Sequence, residues 1–125
     1  MIDFQNAKYL KLHPMKTEDI HKALPKMLLE GEQVMSAFRT VREQVVFTDR
    51  RIIAVNVQGI TGKKVDFTSL PYRRIQVFSV ETSGVFDLDC ELELYVSSVG
   101  RVRFEFVGGF DIVAFNKAIS TYVLN

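Results

Sequence analysis

Three groups of residues have types and spacings that could do chemistry, and the first is Asp49-Arg50-Arg51, which lies between two apolar runs. Two guanidiniums can hold a phosphate, but such a site also needs backbone donors or a helix N-terminus, and the sequence indicates neither nearby. The Asp49 carboxylate can instead accept a backbone N–H in a tight turn, with both arginines in solvent. We therefore interpret the trio as the turn of a hairpin.

The second group is the glycine-containing stretch Gly59–Lys64, which resembles a phosphate loop superficially. The nucleotide loop needs four residues between its glycines and a hydroxyl after its lysine. Here two residues separate Gly59 from Gly62, and Lys64 follows Lys63. The GxxG loop that clamps RNA joins helices, whereas this stretch joins predicted strands. We interpret it as a turn with two solvated lysines and expect no nucleic-acid partner.

The third group is a row of carboxylates at alternate positions, Asp87, Asp89, Glu91 and Glu93. Alternate residues of a strand share a face, so the row could line a divalent-metal site. Like charges on one face usually pair with basic neighbours, and the following strand offers arginines. A surface charge ladder is the favoured interpretation, and a hydrolase or nucleotidyl enzyme using the Asp87 and Asp89 carboxylates is a distant alternative.

The remaining titratable residues form no catalytic set. His13 and His21 are too few and too far from other ligand types to indicate zinc or a general base. Cys90 is expected to enter a strand and to point inward as a small apolar side chain. We predict no enzyme activity, no catalytic or metal-binding residue and no cofactor.

Composition limits the function classes further. The chain has 125 residues, of which 47% are hydrophobic and 25% charged, with a formal net charge of +1. One soluble globular domain without a bulk attraction to nucleic acid or anionic lipid is expected. A single cysteine and an N-terminus without signal-peptide features fit a reducing compartment, so we predict a cytoplasmic location.

The elements that must position these residues change character along the chain. Residues 1–16 keep no clear period and are treated as an N-terminal arm. Residues 17–31 are predicted to be a helical lead-in to a single domain over 17–125, kinked or split at Pro25. Seven strands within 34–107 follow, at about 34–41, 43–48, 51–58, 63–70, 74–82, 90–97 and 101–107. A helix over 110–124, capped by Asp111, closes an antiparallel sandwich or open barrel.

Two features of the strands leave alternatives open. In the last hairpin, cross-strand charge favours Glu93 opposite Arg103, whereas a glycine bulge at Gly100 sets Glu93 against Glu105. The segments 45–47, 52–55 and 77–80 are apolar on both faces, although antiparallel sheets usually leave one face wet. The N-terminal segment, the last helix or another subunit must cover the second face, and an association surface is the natural inference.

Longer stretches of the chain resemble the small stand-alone family of bacterial pleckstrin-homology-like (PH-like) domains. The resemblance covers about residues 25–125 and leaves out the arm over 1–16. The matching stretches occur in the family's order and spacing: Leu29–Glu32, Val46–Ile53, Gly59–Lys64, Leu70–Ile75, Phe78–Gly84 and Phe86–Leu92.

The resemblance implies a mainly β fold of two roughly orthogonal antiparallel sheets, with seven strands and a C-terminal helix. It also implies a non-enzymatic assembly module that forms a cyclic homo-oligomer, a pentamer for single domains, by joining sheets of neighbouring subunits. Such a ring is expected to bind an unidentified protein partner on a hydrophilic surface.

The alternative function is peripheral binding of anionic lipid headgroups. Eukaryotic relatives of the family often bind inositol phosphates through basic residues of the first strand pair. In this chain the candidate anion or lipid patch comprises Arg39, Arg42, Lys63, Lys64, Arg73 and Arg74. Each exposed basic residue near an anionic surface contributes about 1 kcal/mol, so we expect membrane contact by this patch to be weak.

Overall fold

A computed structural model describes residues 1–7, 9–82, 89–109 and 111–125. Two short 3-10 helices lie at Thr17–Asp19 and Tyr72–Arg74. The strands are β1 (Tyr9–Met15), β2 (Val34–Arg39), β3 (Glu43–Thr48), β4 (Arg51–Gln58), β5 (Lys64–Pro71), β6 (Val77–Thr82), β7 (Cys90–Val96) and β8 (Gly100–Phe106), and the helices are α1 (Leu24–Met27) and α2 (Ile112–Val123). The mainly β fold with a C-terminal helix is confirmed.

The strands form one open sheet in the order β5-β4-β3-β2-β1-β8-β7-β6. β1 pairs with β2 in the antiparallel and with β8 in the parallel direction, so it joins two groups of strands that were expected to be separate sheets. The prediction that residues 1–16 form an arm outside the domain is therefore wrong, because they contain a strand of the sheet. The described residues form eight strands instead of the predicted seven. Tyr9 and Leu12 are fully buried, which makes β1 part of the core.

Alternate residues of β3 and β4 enter two hydrophobic clusters on opposite faces of the sheet. Val45 and Ile52 belong to the main cluster, whereas Val46 and Ile53 belong to the second one. The second cluster is covered by Ile20 and Leu24, two buried residues of the segment that precedes β2, with further partly buried side chains around them. Residues of the same subunit therefore cover both faces of these strands. Cover by the N-terminal segment was the first of the three alternatives.

The segment that covers the second cluster is much less helical than predicted. Within 17–31 the helical residues are Thr17–Asp19 and Leu24–Met27. Pro25 stands in the first turn of α1, where its missing N–H costs nothing, and a longer helix running into it from residue 17 would lose a hydrogen bond there. The lead-in thus contains two very short helical pieces, and the break between them lies at residues 20–23, ahead of Pro25.

The C-terminal helix α2 packs on the main cluster through Phe115 and Ile119. Asp111 is its N-cap and accepts a hydrogen bond from the Ala114 amide at 3.1 Å, as predicted. The predicted start at residue 110 lies outside the described residues. In the ranges that the structure describes, no helix is long and apolar enough to cross a membrane.

The β7–β8 hairpin adopts the register with Glu93 opposite Arg103, which the charge argument favoured, and not the one with Glu93 opposite Glu105. The turn still uses the glycine, because Gly100 pairs with Val96 at a φ of +97°. The predicted strand over 74–82 begins later, at Val77, because the 3-10 helix at Tyr72–Arg74 precedes it. The strands over 43–48 and 51–58 have the predicted bounds, and, apart from the strand that begins at Val77, those of the other predicted strands differ by two residues at most.

Candidate functional site

The six basic residues of the predicted patch lie at two opposite ends of the sheet. Arg39 ends β2 and Arg42 lies in the β2–β3 turn, while Lys64 begins β5 just after Lys63. The 3-10 helix with Arg73 and Arg74 follows the far end of β5. The seven residue steps of β5, at about 3.3 Å each, separate the two ends by roughly 23 Å. The first four basic residues thus share an end, and Arg73 and Arg74 do not join them.

Arg42 holds the β2–β3 turn against the β4–β5 turn. Its Nη1 donates to the Gly59 carbonyl oxygen at 2.8 Å, and its own carbonyl accepts from the Val57 amide at 2.9 Å. Gly59 and Gly62 have φ values of +76° and +68°, which confirms the interpretation of this stretch as a glycine-permitted turn. We call the end of the sheet with these two turns the basic end.

A cavity of about 700 Å³ opens at the basic end between β1 and the β2–β3 turn. Its basic lining residues are Lys11, His13, Arg39 and Arg42. Glu43 is the one carboxylate that the described residues place in its wall, so the three permanent cations leave an excess of two positive charges. An open cavity with this charge can hold a phosphate or another small anion.

Glu43 is partly withdrawn from the solvent. Burial raises the pKa of its carboxyl, and the hydrogen bond that the Thr40 hydroxyl donates at 3.2 Å opposes that rise in pKa. A carboxyl with a raised pKa carries its negative charge less readily than a solvated one.

Lys11 reaches the cavity because β1 is irregular at this residue. Its φ is +56°, the one positive value at a non-glycine position among the described residues. The register of β1 with β8 shifts between Tyr9 and Leu12, and β1 then pairs with β2 from His13 onward. A left-handed conformation at a residue with a Cβ costs about 1–2 kcal/mol, and such strain often accompanies function.

Sequence reasoning missed Lys11 and His13 as members of this site. Both belong to the segment that was treated as an arm, and the pairing of β1 with β2 is what brings them beside Arg39. The sequence signal that could have identified them is the spacing of Lys11 and His13, which are two positions apart and would share a face of a strand. It could be used only with the knowledge that residues 9–15 form a strand next to β2.

The Asp49-Arg50-Arg51 stretch is a hairpin turn, as predicted, but its hydrogen bonds differ from the expected ones. The Thr48 hydroxyl oxygen accepts from the amides of Arg50 and Arg51 at 3.1 and 3.0 Å. The Asp49 carboxylate accepts from the Gln33 amide on the preceding segment at 3.0 Å. The turn is thus made by a threonine side chain, and the aspartate ties it to its neighbour.

Arg51 was expected in solvent and instead forms an ion pair with Glu32. Arg51 Nε lies 3.0 Å from Glu32 Oε2, and the exposed fractions of the two side chains are 23% and 0%. Burial alone would raise the pKa of Glu32, but hydrogen bonds from Arg51, the Leu29 amide and the Thr48 hydroxyl outweigh it and lower the pKa to about 2. Because the Arg51 guanidinium binds the Glu32 carboxylate, we assign this group of residues a structural role and not an anion-binding one.

The other predicted groups have structural roles as well. Glu91 pairs with Arg103 and Glu93 with Arg101, each at 2.8 Å, which is the charge ladder that was favoured. Asp87 lies outside the described residues. Within the described ranges, no three carboxylate, imidazole or thiol groups lie close enough together to hold a metal ion. Cys90 points inward as predicted, and burial followed by the charge of Asp89 raises the pKa of its thiol to about 11.

Comparison with known proteins agrees with this architecture. Over 83 residues the chain is 53% identical to the uncharacterized protein YjqA of Bacillus subtilis (strain 168), and the match covers 66% of each chain. The uncharacterized protein YozO of the same organism is 36% identical over 77 residues, which cover 62% of this chain and 67% of YozO. The chain thus spans about two thirds of the length of these relatives.

Two crystal structures are similar over nearly the whole chain. One is a DUF1696-family protein with a pleckstrin-homology domain from Shewanella loihica PV-4, with a TM-score of 0.76, 35% identity, and 91% of this chain and 98% of that chain covered. The other is a pleckstrin-homology domain from Shewanella amazonensis SB2B, with a TM-score of 0.63, 36% identity and coverage of 96% and 94%. The Bacterial PH domain family matches residues 3–123, which include β1 and all later elements, and the chain belongs to that family.

Proposed function

We propose that this domain is a non-catalytic assembly module that joins copies of itself into a closed ring and presents the ring to a protein partner. The observation on which the proposal rests is the open sheet that the described residues form, in which the two edge strands, β5 and β6, are different. An unpaired edge offers a row of free N–H and C=O groups to another strand. Pairing β6 of one copy with β5 of the next is a heterologous contact, which closes into a ring when its rotation allows.

β6 supports this proposal through its side chains as well as its backbone. Val77 is 62% exposed, and Phe78 and Val80 remain partly exposed beside it. The two-faced strands β3 and β4 do not support it, because residues of the same subunit cover them. The proposed association of copies therefore rests on the two edge strands, β5 and β6, and not on uncovered apolar faces. A pentamer is the ring size that family resemblance favours, and the polar face with Glu93 and Arg103 is the candidate surface for the protein partner.

Light scattering on the purified protein tests the ring. The chain mass is 14.3 kDa, and we expect a single species of several times that mass. Val77→Lys places a charge at the β6 edge and is expected to shift the protein to the monomer. Val41→Lys is the matched control, because Val41 is exposed and lies in the β2–β3 turn. A wild-type monomer at micromolar concentration would contradict the proposal.

A second candidate function is binding of a phosphate-bearing anion in the cavity at the basic end. The observation that favours it is the convergence of Lys11, His13, Arg39 and Arg42, from β1, β2 and the β2–β3 turn, on one cavity of about 700 Å³. Charge-assisted hydrogen bonds to such an anion contribute about 1.5–3 kcal/mol each, so the loss of a single one should weaken binding by roughly tenfold or more.

Calorimetric titration with pyrophosphate tests this candidate at low and moderate salt. We expect binding that weakens with salt. The double variant Lys11→Gln and Arg39→Gln should lose roughly tenfold or more in affinity. The double variant Arg73→Gln and Arg74→Gln, at the far end of β5, is the control and should bind like the wild type. Equal binding by all three proteins, or none by the wild type, would exclude the site.

A further inference from the structure

We propose that a second cavity, at the end of the sheet opposite the basic end, binds a small aromatic acid with a single carboxylate. Its volume is about 440 Å³, within the range of about 300–1,000 Å³ of small-molecule sites in proteins. We call it the tyrosine cavity, because Tyr72 and Tyr122 line it. The lining includes no residue of the basic end or of β6, so the proposal goes beyond both functions proposed above.

Strand pairing brings two arginines that are distant in the sequence, Arg50 and Arg73, to the tyrosine cavity. β4 pairs with β5 so that Arg51 lies opposite Pro71, and this places the β3–β4 turn beside the 3-10 helix that follows β5. The Tyr72 amide donates to the Arg50 carbonyl oxygen at 3.4 Å. The arginine of the turn that was expected to be only solvated thus shares a cavity with a second arginine.

The apolar part of the tyrosine cavity is an aromatic wall that is held in place. The rings of Tyr72 and Tyr122 stack with their centroids 5.2 Å apart and their planes inclined by 21°. The Tyr72 hydroxyl donates to the Thr48 carbonyl oxygen at 2.6 Å, which fixes this buried ring against the β3–β4 turn. Pro71 and Leu29 add apolar surface. A ligand ring can pack on such a preorganised wall at little cost in side-chain entropy.

The polar part of the cavity has donors that are not used within the described part of the chain. Arg50 and Arg73 are exposed, and neither guanidinium forms an ion pair or a hydrogen bond with another described residue. The Tyr122 hydroxyl has no partner among the described residues either. Arg51 differs from them, because its Nε donates to Glu32. Guanidinium and hydroxyl donors on one cavity are the groups that bind a carboxylate.

The charge of the tyrosine cavity favours a monoanion. Glu32 neutralises Arg51, and Asp49 offsets one of the two other arginines, so these side chains have an excess of one positive charge. The last turn of α2 adds partial negative charge and contains no basic residue of its own. One carboxylate balances this excess, whereas pyrophosphate would bring negative charges that remain unbalanced. We therefore expect the tyrosine cavity and the basic end to bind different anions.

Titration of the isotope-labelled protein, followed by NMR of its backbone amides, tests the proposal with three probes. Benzoate has a ring and a carboxylate, acetate has only the carboxylate, and benzyl alcohol has only the ring. We expect the wild type to bind benzoate roughly tenfold or more tightly than either other probe, because only benzoate contacts the aromatic wall and the arginines together. The amide resonances of Tyr72 and Arg73 should be among those that shift.

Substitutions at single arginines test which donors bind the carboxylate. Arg73→Gln should weaken benzoate binding by roughly tenfold, because it removes a charge-assisted hydrogen bond. Arg74→Gln is the matched control, since Arg74 is exposed on the same 3-10 helix and does not line the cavity. Arg50→Gln changes a different element and should behave like Arg73→Gln. All three variants should keep the wild-type melting temperature, because these side chains are exposed.

The outcomes also separate this proposal from the anion site at the basic end. The double variant Lys11→Gln and Arg39→Gln should bind benzoate like the wild type, and a loss of binding in it would assign benzoate to the basic end and overturn the proposal. Equal affinity of the wild type for benzoate and acetate would overturn the role of the aromatic wall. Absence of benzoate binding, or equal binding by Arg73→Gln and Arg74→Gln, would overturn the site itself.

Discussion

Glu32 is a buried carboxylate whose charge is balanced by donors from three other residues. Arg51 donates from both Nε and Nη2, at 3.0 Å each, and the Thr48 hydroxyl donates at 2.7 Å. The Leu29 amide adds a fourth donor at 3.0 Å. These contacts join the lead-in segment to the β3–β4 turn, so the ionised form of one side chain contributes to the packing of a whole segment.

The first prediction concerns the pH dependence of this contact. The pKa of Glu32 is lowered from 4.5 to about 2 in the folded state, so the contribution of its ionised form to stability is complete above the unfolded pKa. It is lost as the pH falls toward 2. Wild type should therefore lose about 3 kcal/mol more of unfolding free energy than Glu32→Gln on acidification from about pH 6 to about pH 2, as measured by urea denaturation.

The matched control for this prediction is Glu30→Gln, which removes an exposed carboxylate two positions away. It should follow the wild-type acid dependence. If Glu32→Gln and Glu30→Gln lose stability in parallel with the wild type, the ion pair with Arg51 is not what holds the Glu32 charge in the folded state.

Among the elements, the lead-in between β1 and β2 acts as a cover although little of it is helical. Leu24 is fully buried in the second cluster, together with Ile20 and Val46. Leu24→Ala should destabilise the domain by about 3 kcal/mol, because it removes buried methyl groups and leaves a cavity under the sheet. Chemical denaturation with intrinsic tyrosine fluorescence measures the loss.

Met27, in the same short helix, gives the control for this prediction because its side chain is exposed. Met27→Ala should change the unfolding free energy by less than about 0.5 kcal/mol. Equal losses in the two variants would mean that the helix, and not the cover that Leu24 makes, determines stability. An increase in mass for Leu24→Ala would indicate that uncovered strands recruit a second copy.

How far the sequence predicts each element depends on how local its signal is. Alternation and charge defined β7 and β8, and the cap at Asp111 defined the start of α2, because those signals lie within the element. β1 gave no such signal. Its two fully buried residues, Tyr9 and Leu12, are three positions apart instead of two, because the strand is irregular at Lys11.

The candidate site was predicted in part for the same reason. Arg39 and Arg42 lie at the β2–β3 turn, and Lys63 and Lys64 lie where the β4–β5 turn enters β5, so sequence distance approximates the proximity within each pair. Lys11 and His13 join them through a strand pairing that has no local signature. The grouping of Arg73 with these residues was wrong because a whole strand separates it from Lys64. Its length was available from the sequence and should have excluded the grouping.

For the whole molecule, the first residues of the chain connect distant parts of the sheet. The Ile2 amide donates to the Thr68 hydroxyl in β5 at 3.0 Å, while Gln5 Nε2 donates to the carbonyls of Val99 and Arg101 at 3.1 and 3.0 Å. β1 follows and lies between β2 and β8. The segment over 1–16 thus holds the β2–β5 and β6–β8 groups together, because β1 is the strand through which the described residues of the two groups are joined in the sheet.

The last prediction is that deletion of residues 1–16 abolishes cooperative folding. The deletion removes Tyr9 and Leu12 from the main cluster and leaves β2 and β8 as two further unpaired edges. We expect the truncated chain to lose its sigmoidal thermal transition in circular dichroism and to aggregate. Leu10→Ser, at an exposed position of β1, is the control and should melt like the wild type. If the truncated chain melts cooperatively near the wild-type temperature, this segment is dispensable for folding. The parallel pairing of β1 with β8 would then not be required to connect the two groups of strands.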